Sequence, residues 1–143
     1  MTDGGGATTL PGGDRFRAIM TAVVPEAAAL RDDEWRDAAT IIGRAIAARP
    51  RSVRRQLSLF VRALDLVAFV RHGRGLRALS AAQRTALLES LARSRVLAIR
   101  RGVWGVRTLA FMGYYARPAA ASAIGYRASA AGWTARREPS ASQ

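Results

Sequence analysis

Acid–base chemistry needs two titratable groups held on facing elements, and this sequence offers few. Beyond residue 37 its carboxylates are Asp65, Glu89 and Glu138. Asp65 is the most informative, because it sits in an otherwise apolar helical stretch, where a carboxylate demands a partner. Arg62 or an arginine from another helix can supply it, so Asp65 reads as half of a structural ion pair. The single histidine, His72, follows Arg71 at a helix end and precedes a glycine. An imidazole there serves the last carbonyls and the helix dipole, or stays exposed. The chain has no cysteine, which excludes disulfides and thiolate zinc sites, and one histidine excludes histidine clusters. The stretch GGGATTLPGG lacks both the Lys-Ser/Thr ending of a phosphate loop and the strand-to-helix setting of a dinucleotide fold. No catalytic, cofactor-binding or metal-binding residue is assigned within this chain.

Charge is the second source of chemistry. The 23 basic residues are all arginine, and the formal net charge is +13. It is unevenly spread. Residues 1–37 hold seven acids against four arginines, a net of −3, whereas residues 38–143 hold three acids against 19 arginines, a net of +16. A small soluble domain usually stays nearer neutrality, so the excess predicts an acidic protein partner, a polyanion or an anionic surface. Arginine suits bidentate pairing with carboxylate or phosphate. The runs Arg49-Pro50-Arg51, Arg54-Arg55, Arg93/Arg95, Arg100-Arg101 and Arg136-Arg137 fall on several helices rather than one, a compositional signal that argues only weakly for nucleic acid.

The aromatic stretch 103–127, VWGVRTLAFMGYYARPAAASAIGYR, is more specific. Trp104, Thr108, Phe111 and Tyr115 recur at helical spacing, with Arg107 among them. Core packing explains Trp104 and Phe111; a partner surface does as well. Tyr114 and Tyr115 point about 100° apart on a helix, so one turns inward and the other meets a partner or bends toward the helix end. Gly113 beside them permits close approach or marks tight packing. Tyr126, just after Gly125, has the position of the hydrophobic contact in a Schellman cap. The expected partner-binding set is Trp104, Arg107, Phe111, Tyr114, Tyr115, Gly125 and Tyr126.

The elements that must position these residues are helical. Residues 14–24 place Phe16, Ile19, Met20 and Val23 on one stripe, and Pro25 ends that helix or opens the next turn. Residues 33–48 form a second helix, with Asp32 or Asp33 as cap and Trp35, Ala38, Ile42 and Ile46 as its buried edge. Residues 52–71 form the strongest helix. Val53, Leu57, Phe60, Val61, Leu64, Val67, Ala68 and Arg71 trace one face, and Leu59, Leu66 and Val70 lie well round from it. Such breadth means a central helix, or one that meets another chain. Ser80 and Gln83 form a capping box for a helix running to about Arg100 or beyond. Gly102 and Gly105 weaken continuity before a helical stretch at 103–115. Pro118 opens a short helix ending near Gly125. The expectation is an all-α chain: a single compact bundle of about five or six helices over residues 14–127, between flexible tails at 1–13 and 128–143.

Residues 76–126 resemble the small-subunit family named after gluconate 2-dehydrogenase subunit 3. Leu76, Leu79 and Ser80 match the A-L-S-like helix start, Leu88 and Leu91 the L-x-x-L, Ser94-Arg95 the Ser-Arg pair, Tyr114-Tyr115 the aromatic helix end, and Pro118 with Gly125-Tyr126 the closing segment. FRAIMTAVVPEA is similar to the family's opening helix and Val-Pro turn. Two positions depart: Arg117 stands where the family often has Asp before the proline, and Arg127-Ala128 follows where it has Asp-Gly. The resemblance implies a noncatalytic small subunit. Its partner is a large FAD-containing flavoprotein of the glucose-methanol-choline class, which oxidises an alcohol, sugar or steroid hydroxyl. FAD and the catalytic histidine belong to that large chain, and none is bound here. The alternative is an Arg-rich helical nucleic-acid-binding or regulatory module. The start MTDGGG has no basic segment leading into an apolar run, and Arg107 and Arg117 interrupt the most apolar stretch. The expected location is cytoplasmic, or periplasmic where the partner carries the export signal.

Overall fold

In the computed structural model, which describes residues 13–123, the chain forms six α-helices and two 3-10 turns. Helix α1 is Asp14–Val23, α2 Asp32–Ala47, α3 Arg51–His72, α4 Ala81–Ala92, α5 Leu97–Tyr115 and α6 Pro118–Ala123, with the turns at Pro25–Ala29 and Leu76–Ala78. The described chain is all-α. The expected terminal tails lie outside the described residues, apart from Gly13.

The shortest of the first five helices organises the core. Phe16, Ile19 and Met20 of α1 are fully buried, and α1 packs against α3, α4, α5 and both 3-10 turns. Burying each such side chain contributes about 1.5–3 kcal/mol. Trp35, Ala38 and Ile42 close the α2 side, Leu87, Leu88 and Leu91 the α4 side, and Val103, Val106 and Ala110 the α5 side. Pro25 opens the 3-10 turn after α1.

Helix α3 corrects one expectation. It is not central. Val61, Leu64 and Ala68 are buried, but Leu59, Leu66, Phe69 and Val70 stay exposed. Val53 and Arg71, assigned by periodicity to the inner face, are exposed as well. Val53 belongs to the first turn of α3, and Arg71 donates to Ser90 Oγ at 3.1 Å.

The helix expected from Ser80 to beyond Arg100 is two helices. The capping box is as read: Ser80 Oγ accepts from the Gln83 N–H at 3.2 Å, and Gln83 Oε1 accepts from the Ser80 N–H at 3.0 Å. But α4 stops at Ala92 and α5 starts at Leu97. In the link, Ser94 Oγ accepts from the Val96 N–H at 3.2 Å, a local bond that competes with helix. The break lets α5 turn back along α1 and α2, and it continues unbroken through Gly102 and Gly105. The N-terminus of α2 also differs. Asp32 and Asp33 lie inside the first turn, and the cap bond runs from the Arg31 N–H to Glu34 Oε2 at 3.0 Å. Gly73 ends α3 in the left-handed region, with φ of 68°, a conformation that favours glycine.

Candidate functional site: an apolar, arginine-ringed surface on α3 and α5

The stripe expected on α5 faces outward. Trp104 is 63% exposed, Phe111 40% and Tyr115 39%. Core packing therefore does not account for Trp104 or Phe111. The Arg107 guanidinium lies 5.5 Å from the centre of the Trp104 ring, within reach of a cation–π contact. Phe111 and Tyr115 stack with ring centres 6.2 Å apart. Together these side chains form a continuous ridge along α5.

The two tyrosines diverge, as their spacing requires. Tyr114 is half-buried against the core, while Tyr115 meets its ring edge-on at 4.9 Å and stays more open. Arg117 covers Tyr114 at 4.6 Å from the ring centre. Gly125 and Tyr126 lie outside the described residues.

Arg117 is a residue whose role sequence reasoning missed. It is only 4% exposed. Its Nε donates to the Tyr114 carbonyl at 3.0 Å and its Nη1 to Glu34 Oε1 at 3.0 Å. This ties the end of α5 to the start of α2. The Arg31 N–H, outweighing partial desolvation, and the Arg117 guanidinium hold the Glu34 carboxyl below its ordinary range. The one available signal was an arginine directly before a helix-starting proline.

Asp65 has the structural role expected of it. Its Oδ2 accepts from Arg15 Nε at 2.9 Å, and its Oδ1 accepts from the Leu76 N–H at 2.8 Å. Partial burial works against its charge, but the Leu76 N–H and the Arg15 guanidinium outweigh it and hold the carboxyl below its ordinary value. His72 is exposed in the last turn of α3.

Beside the α5 ridge runs an apolar groove of about 340 Å³, lined by Ile46 of α2, Val53 and Leu57 of α3, and Gly105, Leu109 and Met112 of α5, with Arg49 and Arg54 at its edge. A second, Arg-lined surface follows the N-terminal half of α3, formed by Arg51, Arg54, Arg55 and Arg62 around Ser58 and Leu59. Among the described residues, none of these arginines has a carboxylate within 4.0 Å, whereas Arg15, Arg31, Arg77 and Arg117 each do. Every large apolar side chain that stays well exposed among the described residues lies on α3, on α5 or at Val96 between α4 and α5.

The described residues contain no group of three or more metal-ligating side chains, and no helix among them is long and apolar enough to cross a membrane. The fold and site define an all-α bundle with an open, basic and apolar surface. In comparison with known proteins, no family model, curated protein or solved structure matches this chain.

Proposed function

We propose that this chain is a noncatalytic small subunit that binds and stabilises an FAD-dependent oxidoreductase of the glucose-methanol-choline class acting on an alcohol, sugar or steroid hydroxyl. One observation carries the subunit reading: the large apolar side chains that stay well exposed among the described residues gather on α3, α5 and Val96, and Arg51, Arg54, Arg55 and Arg62, with no carboxylate within 4.0 Å among those residues, share α3 with them. A surface of that composition buries well against a protein with acidic groups around an apolar patch. The class of partner rests on the resemblance of residues 76–126 to the small-subunit family. In this reading the FAD and the reacting groups belong to the large chain, and Trp104, Phe111 and Tyr115 supply contact area. The compartment follows the large chain's targeting: cytoplasmic without an export signal on it, periplasmic with one.

The test is co-expression with a large flavoprotein encoded beside this chain. The expected result is a yellow complex that survives size separation, together with self-association of the small chain when it is made alone, because its apolar surface then lacks a cover. A clean, stable monomer that leaves the flavoprotein unbound overturns the reading.

The Arg51, Arg54, Arg55 and Arg62 surface favours a second reading, an Arg-rich nucleic-acid-binding or regulatory module. Its mark is binding to mixed-sequence duplex DNA or RNA that weakens steeply as salt rises. Absence of such binding at low salt excludes it.

A further inference from the structure

We infer that the groove between α2, α3 and α5 seats one apolar anchor side chain of the large subunit, flanked in that partner by carboxylates that meet Arg49 and Arg54. This rests on the subunit reading above and specifies which chemistry the partner brings.

The first argument comes from glycine. Helix α5 carries three glycines, each costing about 1 kcal/mol against alanine in a helix. Two have reasons within the chain. A Cβ on Gly102 would land on the Phe60 ring, and one on Gly113 would land on the Ile42 side chain. Gly105 has no such reason among the described residues: a Cβ there meets nothing of them within 4 Å. What its bare backbone does is keep the groove open beside Thr108 and Met112. Glycine at such a place lets another backbone or side chain approach closely.

The second argument comes from charge. The groove's interior is aliphatic, from Ile46, Val53, Leu57 and Leu109, and no carboxylate lines it. Arg49 and Arg54 stand together where the α2–α3 link meets the first turn of α3, both exposed. A second copy of this chain is a weaker occupant than an acidic partner, because it carries a net +13 of its own and like charges facing each other across an interface oppose docking. An apolar side chain with acidic neighbours satisfies both the floor and the edge.

The third argument is continuity. Thr108 belongs to the α5 ridge with Trp104 and Phe111 and also lines the groove. An anchor seated there is surrounded by further contact area that excludes water, the setting in which one side chain dominates binding.

The experiment uses the full-length chain and its co-expressed flavoprotein. Gly105→Leu fills the groove. Arg49→Gln with Arg54→Gln removes the edge charges from exposed positions and serves if the filled variant misfolds. Arg36→Gln with Arg77→Gln removes equal charge from exposed positions on α2 and the second 3-10 turn. Expected are losses in affinity of at least about tenfold for the first two, a flatter salt dependence for the Arg49/Arg54 variant, and a change within about twofold for the Arg36/Arg77 variant. The isolated Gly105→Leu chain should melt no lower than wild type. If the wild-type complex forms and the groove variants bind within about twofold of it, the groove inference falls and the subunit reading stands. If Gly105→Leu instead abolishes only self-association, the occupant is a second copy and the inference is overturned. If the wild-type chain binds no flavoprotein, the subunit reading falls and the groove assignment with it.

Discussion

The arginines of α1 and of the first turns of α2 rest against partners within the chain, while Arg51, Arg54, Arg55 and Arg62 of α3 and Arg100 and Arg101 of α5 stand open. Arg15 pairs with Asp65, Arg77 with Asp14, and Arg31 with Asp33. Arg17 lies 4.4 Å from the centre of the Trp35 ring, and Arg84 donates to Thr21 Oγ1 at 2.9 Å and to the Ala18 carbonyl at 3.1 Å. On α3 and α5 the pattern reverses: Arg51, Arg54, Arg55, Arg100 and Arg101 are exposed, with no carboxylate in reach among the described residues, and exposed apolar groups stand among them. The same residue type thus does two jobs. Where acids are supplied nearby, arginine closes the bundle. Where they are withheld, it remains available to a second molecule. The contrast concerns specificity more than stability, since exposed ion pairs contribute about 0–1 kcal/mol each.

The contrast breaks most visibly by truncating one large side chain on each side. Phe16→Ala, in the closed part, should lower stability by about 3–5 kcal/mol. Trp104→Ala, on the open ridge, should change the isolated chain's stability by less than about 0.5 kcal/mol yet weaken the complex more than any change in the α1–α2 surface. Urea titrations followed by circular dichroism read the first pair, and affinity for the flavoprotein reads the second. Equal losses of stability would place Trp104 in the core and erase the distinction.

The glycines of α5 sharpen it next. Gly102→Ala pushes a methyl group into Phe60 and should destabilise by about 1–3 kcal/mol. Gly105→Ala meets open space and should stabilise by up to about 1 kcal/mol. The same substitution three residues apart in one helix therefore changes sign, and thermal melts of the two variants check it. A loss at Gly105 as large as that at Gly102 would show that the groove is already filled from within.

Acid should loosen the closed side selectively. The Asp65 and Glu34 carboxyls have folded values below their ordinary ones, so the unfolded chain takes up protons first as pH falls. Their contribution is fully present above the ordinary carboxylate range of about 4 and is lost as pH drops through the depressed folded values. Urea midpoints between neutral pH and pH about 3 should fall, and Asp65→Asn should flatten that slope while lowering stability at neutral pH. An unchanged slope in Asp65→Asn removes this pair from the account.

What could be read in advance follows physical range. The Ser80–Gln83 box, the divergence of Tyr114 and Tyr115 and the glycine end of α3 depend on neighbours within about a turn, and each was legible. That Asp65 needs a cation was also legible; that Arg15, fifty positions away, supplies it was not, because burial specifies a charge and not its donor. The break at Arg93–Val96 has no proline or glycine to announce it, only Ser94 bonding locally. Periodicity showed that α3 is apolar round much of its girth but not what covers it, and among the described residues no element covers its outer face, where Leu59, Leu66, Phe69 and Val70 stay exposed. Gly102 read as a helix weakener because Phe60, which needs its bare backbone, comes from another helix, whereas Gly113, read as a point of close approach or tight packing, does meet Ile42 of α2. For the ridge, residue type and spacing identified Trp104, Phe111 and Tyr115 as one stripe; its exposure emerged only from the fold.

The smallest expected effect sits at two helix starts. The first turn of α2 holds Asp32, Asp33 and Glu34, acids that favour the positive end of the helix dipole. The first turn of α3 has no acid, its N-cap is Pro50 without a side-chain cap, and Arg51 and Arg54 stand there instead. By dipole alone that arrangement is unfavourable, and among the described residues neither arginine has a carboxylate within 4.0 Å to offset it. Arg51→Glu should therefore stabilise the isolated chain by about 0.3–1 kcal/mol at low ionic strength, with the gain shrinking as salt is added. The same substitution places a carboxylate on the surface proposed to meet an acidic partner and should weaken the complex. Gain in isolation with loss in assembly is the signature of charge kept for binding at a cost to the fold. Should Arg51→Glu lower the melting temperature of the isolated chain instead, Arg51 has a structural role and the division between closed and open sides moves off α3.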